Sequence, residues 1–76
     1  MSDKICEINI SNNWLTDTYI FYEDESILRI YNHNSINHHL KEWIEPQKIT
    51  RAIKNKIVTK CLEKHKDRIM DILDYL

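Results

Sequence analysis

The residues best suited to chemistry are three histidines set close together, His33, His38 and His39, with Asn34 and Asn37 between them. Such a patch suggests zinc or a metal-assisted nuclease, since zinc takes three or four converging ligands, commonly as C-x2-C or H-x3-H pairs. Adjacent His38 and His39 project about 100° apart on a helix and do not readily chelate one ion together. The patch therefore reads as a solvated Asn/His connector, with no metal and no cofactor. A second constellation is Cys61 with His65 four residues on, which would let a thiol and an imidazole meet on one helix face. That pair lies in an apolar stripe, and the chain has no glycine with which to build a cleft loop. No P-loop, Rossmann turn or paired-carboxylate pocket is present. The expectation is that this is not an enzyme.

Strand, strand, helix with His and Asn residues also resembles the His-Asn-His nucleases and their ββα-metal motif. The resemblance rests on His33, Asn34, Asn37, His38 and His39. It departs from the family pattern in having no His after the first strand of the pair to act as a base.

Charge is a stronger signal than catalysis. Residues 1–47 hold eight acids and three bases, a net of −5, whereas residues 48–76 hold eight bases and four acids, a net of +4. Lys48, Arg51, Lys54, Lys56 and Lys60 form a basic run, and such residues neutralise phosphates and release counterions. They are candidate nucleic-acid contacts, with Arg51 and Asn55 able to reach base edges. Against this, the whole chain carries −1 and the bases spread around the helix. On one continuous helix, bases first and Asp67, Asp71 and Asp74 last oppose the macrodipole, at about 0.3–1 kcal/mol for each misplaced charge. An antiparallel second copy, or the acidic turn Glu23-Asp24-Glu25, would compensate.

The elements follow from pattern. Cys6, Ile8 and Ile10 alternate with Glu7 and Asn9, the period of a half-buried strand. Ser11-Asn12-Asn13 is a turn, residues 14–22 form an aromatic and β-branched strand, Glu23–Ser26 turns again, and Ile27–Tyr31 is a third strand. Asn34 or Ser35 caps a short helix carrying Ile36, Leu40, Trp43 and Ile44, which Pro46 stops. Residues 47–76 lack Gly and Pro and repeat their apolar residues every eleven positions: Val58 with Ile69, Cys61 with Ile72, Leu62 with Leu73, His65 with Leu76. That period, about 3.67 residues per turn, predicts one long helix of roughly 40 Å. The fold class is α+β: a three-stranded antiparallel β-meander, a short helix and a long C-terminal helix, in a single domain spanning 1–76.

A compact chain of this length has a radius of gyration of about 11 Å, so the helix should overhang its body. Its apolar stripe also swings by more than a quarter turn near Asn55–Ile57, away from the sheet. Val58, Cys61, Leu62, His65, Ile69, Ile72 and Leu73 are then self-association residues, and a homodimer through this helix is the expectation. On the second strand Trp14, Ile20 and Tyr22 share one face and Leu15, Tyr19 and Phe21 the other. Two helices cannot cover both faces of the sheet. Trp14, Tyr19, Tyr22 and Tyr31, with Glu23, Asp24 and Glu25, are candidate partner-binding residues, since aromatic side chains anchor interfaces.

With 42% hydrophobic and 30% charged residues the chain is globular. Cys6 and Cys61 both fall on apolar faces and read as reduced, buried thiols, with a Cys6–Cys61 bridge as the other reading. No signal-peptide core and no run of about 20 apolar residues occurs, so no membrane and a cytoplasmic location are expected. Abundant Ile, Asn and Lys without Gly is what AT-rich coding produces. The sequence thus points to a small protein-interaction module, with a phage or mobile-element inhibitor of the anti-defence type as its concrete form. The alternative is a nucleic-acid-binding regulator using the basic stretch.

Overall fold

In the computed structural model, residues 3–10, 16–32 and 39–75 are described, His39 by its backbone only. Four strands, β1 (Lys4–Asn9), β2 (Asp17–Tyr22), β3 (Ile27–Asn32) and β4 (His39–Ile44), form one sheet in that order. Every neighbouring pair is antiparallel. A 3-10 turn at Pro46–Lys48 leads to α1 (Arg51–Lys60) and α2 (Glu63–Leu73). The α+β class and the antiparallel meander stand, with two differences.

The first is that the expected short helix is a strand. Ile36, Leu40, Trp43 and Ile44 have helical spacing, yet pairing with β3 places Ile44 opposite Ile27. Ile44 then extends the row Cys6, Phe21, Ile27 across the sheet, where it packs on the core. Tertiary pairing overrides the helical period here. Asn34, Ser35 and Ile36 of the expected helix lie outside the described residues, as does the expected turn at 11–13.

The second is that the long helix is two helices. Cys61 (φ −70°, ψ 141°) and Leu62 (φ −64°, ψ 144°) are extended and break it. The swing of the apolar stripe supplies the reason. A continuous helix cannot present Ile57 and the stripe of Ile69, Ile72 and Leu73 to one sheet face. The corner at 61–62 re-aims α2, and all four of these side chains enter the same core, at most 5% exposed. At 1.5 Å per residue each helix is roughly 15 Å long, within a body of 34 × 28 × 22 Å. Nothing overhangs. The corner relieves the charge conflict only in its middle, since Arg51 and Lys54 still open α1 and Asp71 and Asp74 still close α2. Lys60 now ends α1 and Glu63 begins α2, both in the sense the helix dipoles favour.

Local chemistry fixes the ends. Thr50 Oγ1 accepts from Ile53 N–H at 3.3 Å and caps α1. Asp74 closes α2 in the left-handed region at φ 54°, and Tyr75 N–H donates to the Met70 carbonyl at 3.0 Å. Glu25, at φ 71°, makes the β2–β3 turn. There Ser26 N–H and its hydroxyl both donate to Asp24 Oδ1, which holds the Asp24 carboxyl below its usual range. Arg68 of α2 ties this turn down, donating to the Glu23 carbonyl at 2.9 Å and lying 3.9 Å from its carboxylate. The acidic turn thus meets Arg68 of α2 within the molecule.

Candidate interaction surface

Register assigns every strand residue to a face. The helix-side face carries Cys6, Phe21, Ile27 and Ile44 in one row and Ile8, Tyr19, Arg29 and Glu42 in the next. Ile8, Phe21, Ile27, Ile57, Ile69 and Leu73 form the centre of the core with Tyr19. The other face carries Glu7, Ile20, Leu28 and Trp43 in one row and Asn9, Thr18, Ile30 and Lys41 in the next. None of the side chains of this second face belongs to the core beneath the helices. Ile20 is buried, Tyr22, Leu28 and Ile30 are half-buried, and Trp43 is 66% exposed. The Trp43 and Tyr22 rings lie 5.6 Å apart and tilted by 56°, an arrangement aromatic pairs favour. Trp43 stands between two shallow clefts. One, of about 520 Å³, includes Arg29, Glu42 and Lys48; the other, of about 350 Å³, includes Glu25, Ser26 and Pro46.

The helix-free face therefore holds Tyr22 as expected, and places Glu23, Asp24 and Glu25 in the exposed turn at its end. Trp14 and Leu15 lie outside the described residues. Tyr19 is buried on the helix side, where burial and then neighbouring Asp17 push its hydroxyl up to about 12. Tyr31 is also on the helix side, its ring 4.3 Å from the Arg29 guanidinium. Arg29 donates to Asp17 at 3.0 Å and approaches Glu42 at 3.6 Å. Its charge is thereby matched inside the sheet. The helical spacing of Leu40, Trp43 and Ile44 hides the place of Trp43 from a sequence reading, whereas Leu28 and Ile30 lie on a strand that the pattern does predict. No apolar and polar alternation marks residues 39–44, so the pairing with β3 is what puts Trp43 on this face.

The stripe assigned to self-association is largely used within the chain. Cys61, Ile69, Ile72 and Leu73 are buried, Val58 and His65 are half-buried, and Leu62 is 63% exposed. Cys61 sits at the corner, outside both helices, so it does not share a helix face with His65. Burial pushes its thiol up. Of the basic run, Lys48, Arg51, Lys56 and Lys60 are exposed and Lys54 half-buried. Lys60 Nζ donates to the Asn9 carbonyl at 3.2 Å, the Arg51 guanidinium lies 5.2 Å from the Tyr75 ring, and Tyr75 Oη donates to Asn55 Oδ1 at 3.0 Å. The two residues suited to reading bases are thus engaged with Tyr75.

His33 and His38 lie outside the described residues. Among the described residues no group of three or more His, Cys, Asp or Glu side chains is placed to hold a metal ion, and no helix is long and apolar enough to cross a membrane. Comparison with protein-family models, with curated proteins and with solved structures gives no match.

Proposed function

We propose that this chain is a protein-interaction module that docks a partner protein on the helix-free face of its sheet, with Trp43 as the anchor. The observation that carries the reading is a large aromatic side chain, 66% exposed, standing beside Tyr22 on an apolar face. Four strands about 4.8 Å apart and six residues long give the whole face roughly 400 Å², with Trp43, Tyr22, Leu28 and Ile30 as its accessible apolar part beside Glu7, Asn9 and Lys41. A stable complex needs about 800 Å² from each partner. Contact must then spread past Trp43 to the β4 edge and the acidic turn at Glu23–Glu25. Because residues 1–47 carry −5, the partner surface is apolar with a basic rim. An inhibitor that occludes its target, of the kind phages and mobile elements encode, fits the small size and the AT-rich composition.

A nucleic-acid reading is favoured by one observation: residues 46–62 contain five bases and no acid, and α1 turns Arg51, Lys56 and Lys60 outward. One experiment separates the two. The chain, its Trp43→Ala variant and an Arg51→Glu/Lys56→Glu variant are used to capture partners from a low-GC bacterial lysate, with and without nuclease. A protein held by the wild type and the double variant, surviving nuclease and lost with Trp43→Ala, supports the protein-binding reading. Retention by Trp43→Ala, or loss on nuclease treatment, refutes it.

A further inference from the structure

β4 ends the sheet, and its residues Leu40 to Trp43 are exposed. It pairs with β3 without a register shift from His39 to Ile44, and Glu45, at φ −89° and ψ 149°, carries the extended backbone one residue further. The outer side of such a strand offers a row of N–H and C=O groups for another strand to pair with. We propose that the strand it takes is β4 of a second copy, paired antiparallel about a two-fold axis at Trp43.

Symmetry and charge choose that register. In an antiparallel pair, directly opposite residues share a face of the sheet, so in a two-fold pair the central residue stands opposite its own copy. Centring on Lys41 sets two lysines opposite each other, and centring on Glu42 sets two glutamates. Like charges directly opposite are destabilising. Centring on Trp43 sets none.

Lys41 and Trp43 lie on the helix-free face, and the alternation of a strand continues it to Glu45. With Trp43 at the centre, Lys41 stands opposite Glu45 of the second copy, and Glu45 opposite its Lys41. These two cannot meet within one chain, because four residues of strand span about 13 Å. Both are exposed, and neither has an ion pair among the described residues. On the helix side Glu42 keeps Arg29 at 3.6 Å and stands opposite the uncharged Ile44. The two Trp43 residues come side by side with Cβ atoms about 5 Å apart, within reach of the stacked or tilted contact that aromatic pairs favour. Each ring thereby covers part of a side chain that is 66% exposed in a single copy.

Sedimentation velocity on the full chain, from micromolar to millimolar concentration, reads the assembly, and circular dichroism shows that each variant is folded. The wild type should pass from monomer to dimer as concentration rises. Lys41→Glu alone sets Glu against Glu at both facing pairs, and Glu45→Lys alone sets Lys against Lys. Each should dimerise about tenfold or more weakly than the wild type. Mixed in equal amounts, the two variants should form a heterodimer about as tight as the wild-type dimer, because every facing pair is again opposite in charge. Leu62→Asp, on the helix corner, should leave the dimer unchanged. A wild type that stays monomeric at millimolar concentration, single variants that dimerise like the wild type, a mixture that does not recover the association, or a dimer lost with Leu62→Asp would each overturn the proposal. No partner protein enters the measurement, so its failure leaves the docking role of Trp43 to be judged by capture.

Discussion

Replacing Leu62 by Asp separates one long helix from two helices meeting at a corner. On a continuous helix Leu62 lies in the middle of the apolar stripe, and Asp there disrupts any assembly built on it. In the fold described above, Leu62 is 63% exposed and is the N-cap of α2, with no side-chain cap of its own. Full burial of a Leu is worth about 1.5–3 kcal/mol, so the buried third contributes about 0.5–1 kcal/mol. An Asp at an N-cap accepts from the first free N–H groups and returns about 0.5–2 kcal/mol, aided by the helix dipole. The expected net change is within about 1 kcal/mol of zero, on the stabilising side. Leu73, fully buried at the other end of α2, is the contrast, since Leu73→Ala should cost about 2–5 kcal/mol. A chain of this size has only about 4–11 kcal/mol of stability in all. Urea unfolding followed by circular dichroism gives both numbers, and light scattering on a sizing column gives the assembly state. A loss above about 2 kcal/mol for Leu62→Asp, or a change in assembly, would refute the corner.

Alkaline pH should unfold the protein early. The Cys6 thiol is raised from 9.0 to about 11 and the Tyr19 hydroxyl from 10.0 to about 12, both chiefly by burial. The folded state therefore holds these protons more tightly than the unfolded chain. Their contribution is complete below about pH 9 and is lost as pH rises towards about 12. Urea midpoints measured across that range should fall, and Cys6→Ala should flatten the first part of the decline. Glu25→Gly should raise stability by up to about 1 kcal/mol by relieving a side chain held at φ 71°. A lowered Tm would mean that the Glu25 side chain itself holds the turn.

How much of this was legible in the sequence depends on the range of the interactions. β1, β2, β3 and the turn at Glu23–Ser26 follow from period-two alternation and local turn chemistry, and the structure has them within a few residues. The identity of β4 does not, because Leu40, Trp43 and Ile44 have helical spacing, while as a strand only Leu40 and Ile44 share a face. Only the partner strand, through Ile27 opposite Ile44, decides between them. The corner at Cys61–Leu62 was half legible. The swing of the stripe announced a conflict, but neither Gly nor Pro marked its place, and the break lies several residues beyond the swing. The sheet face away from the helices shares the first limit: Tyr22 falls on it through β2, while the place of Trp43 required β4.

The two edges of the sheet are chemically unequal. β1 is blunted by its bulge at Ile5, by α1 lying against it and by Lys60 holding the Asn9 carbonyl. β4 presents Leu40 to Trp43 as a run of exposed residues with no bulge in its pairing. A strand edge is a template for another strand, and a sheet with two such edges can propagate without limit. Among the described residues β1 is the edge less open to a further strand. Pairing β4 with β4 of a second copy would leave a blunted β1 at both ends of the joined sheet, so strand addition of that kind would stop at two chains.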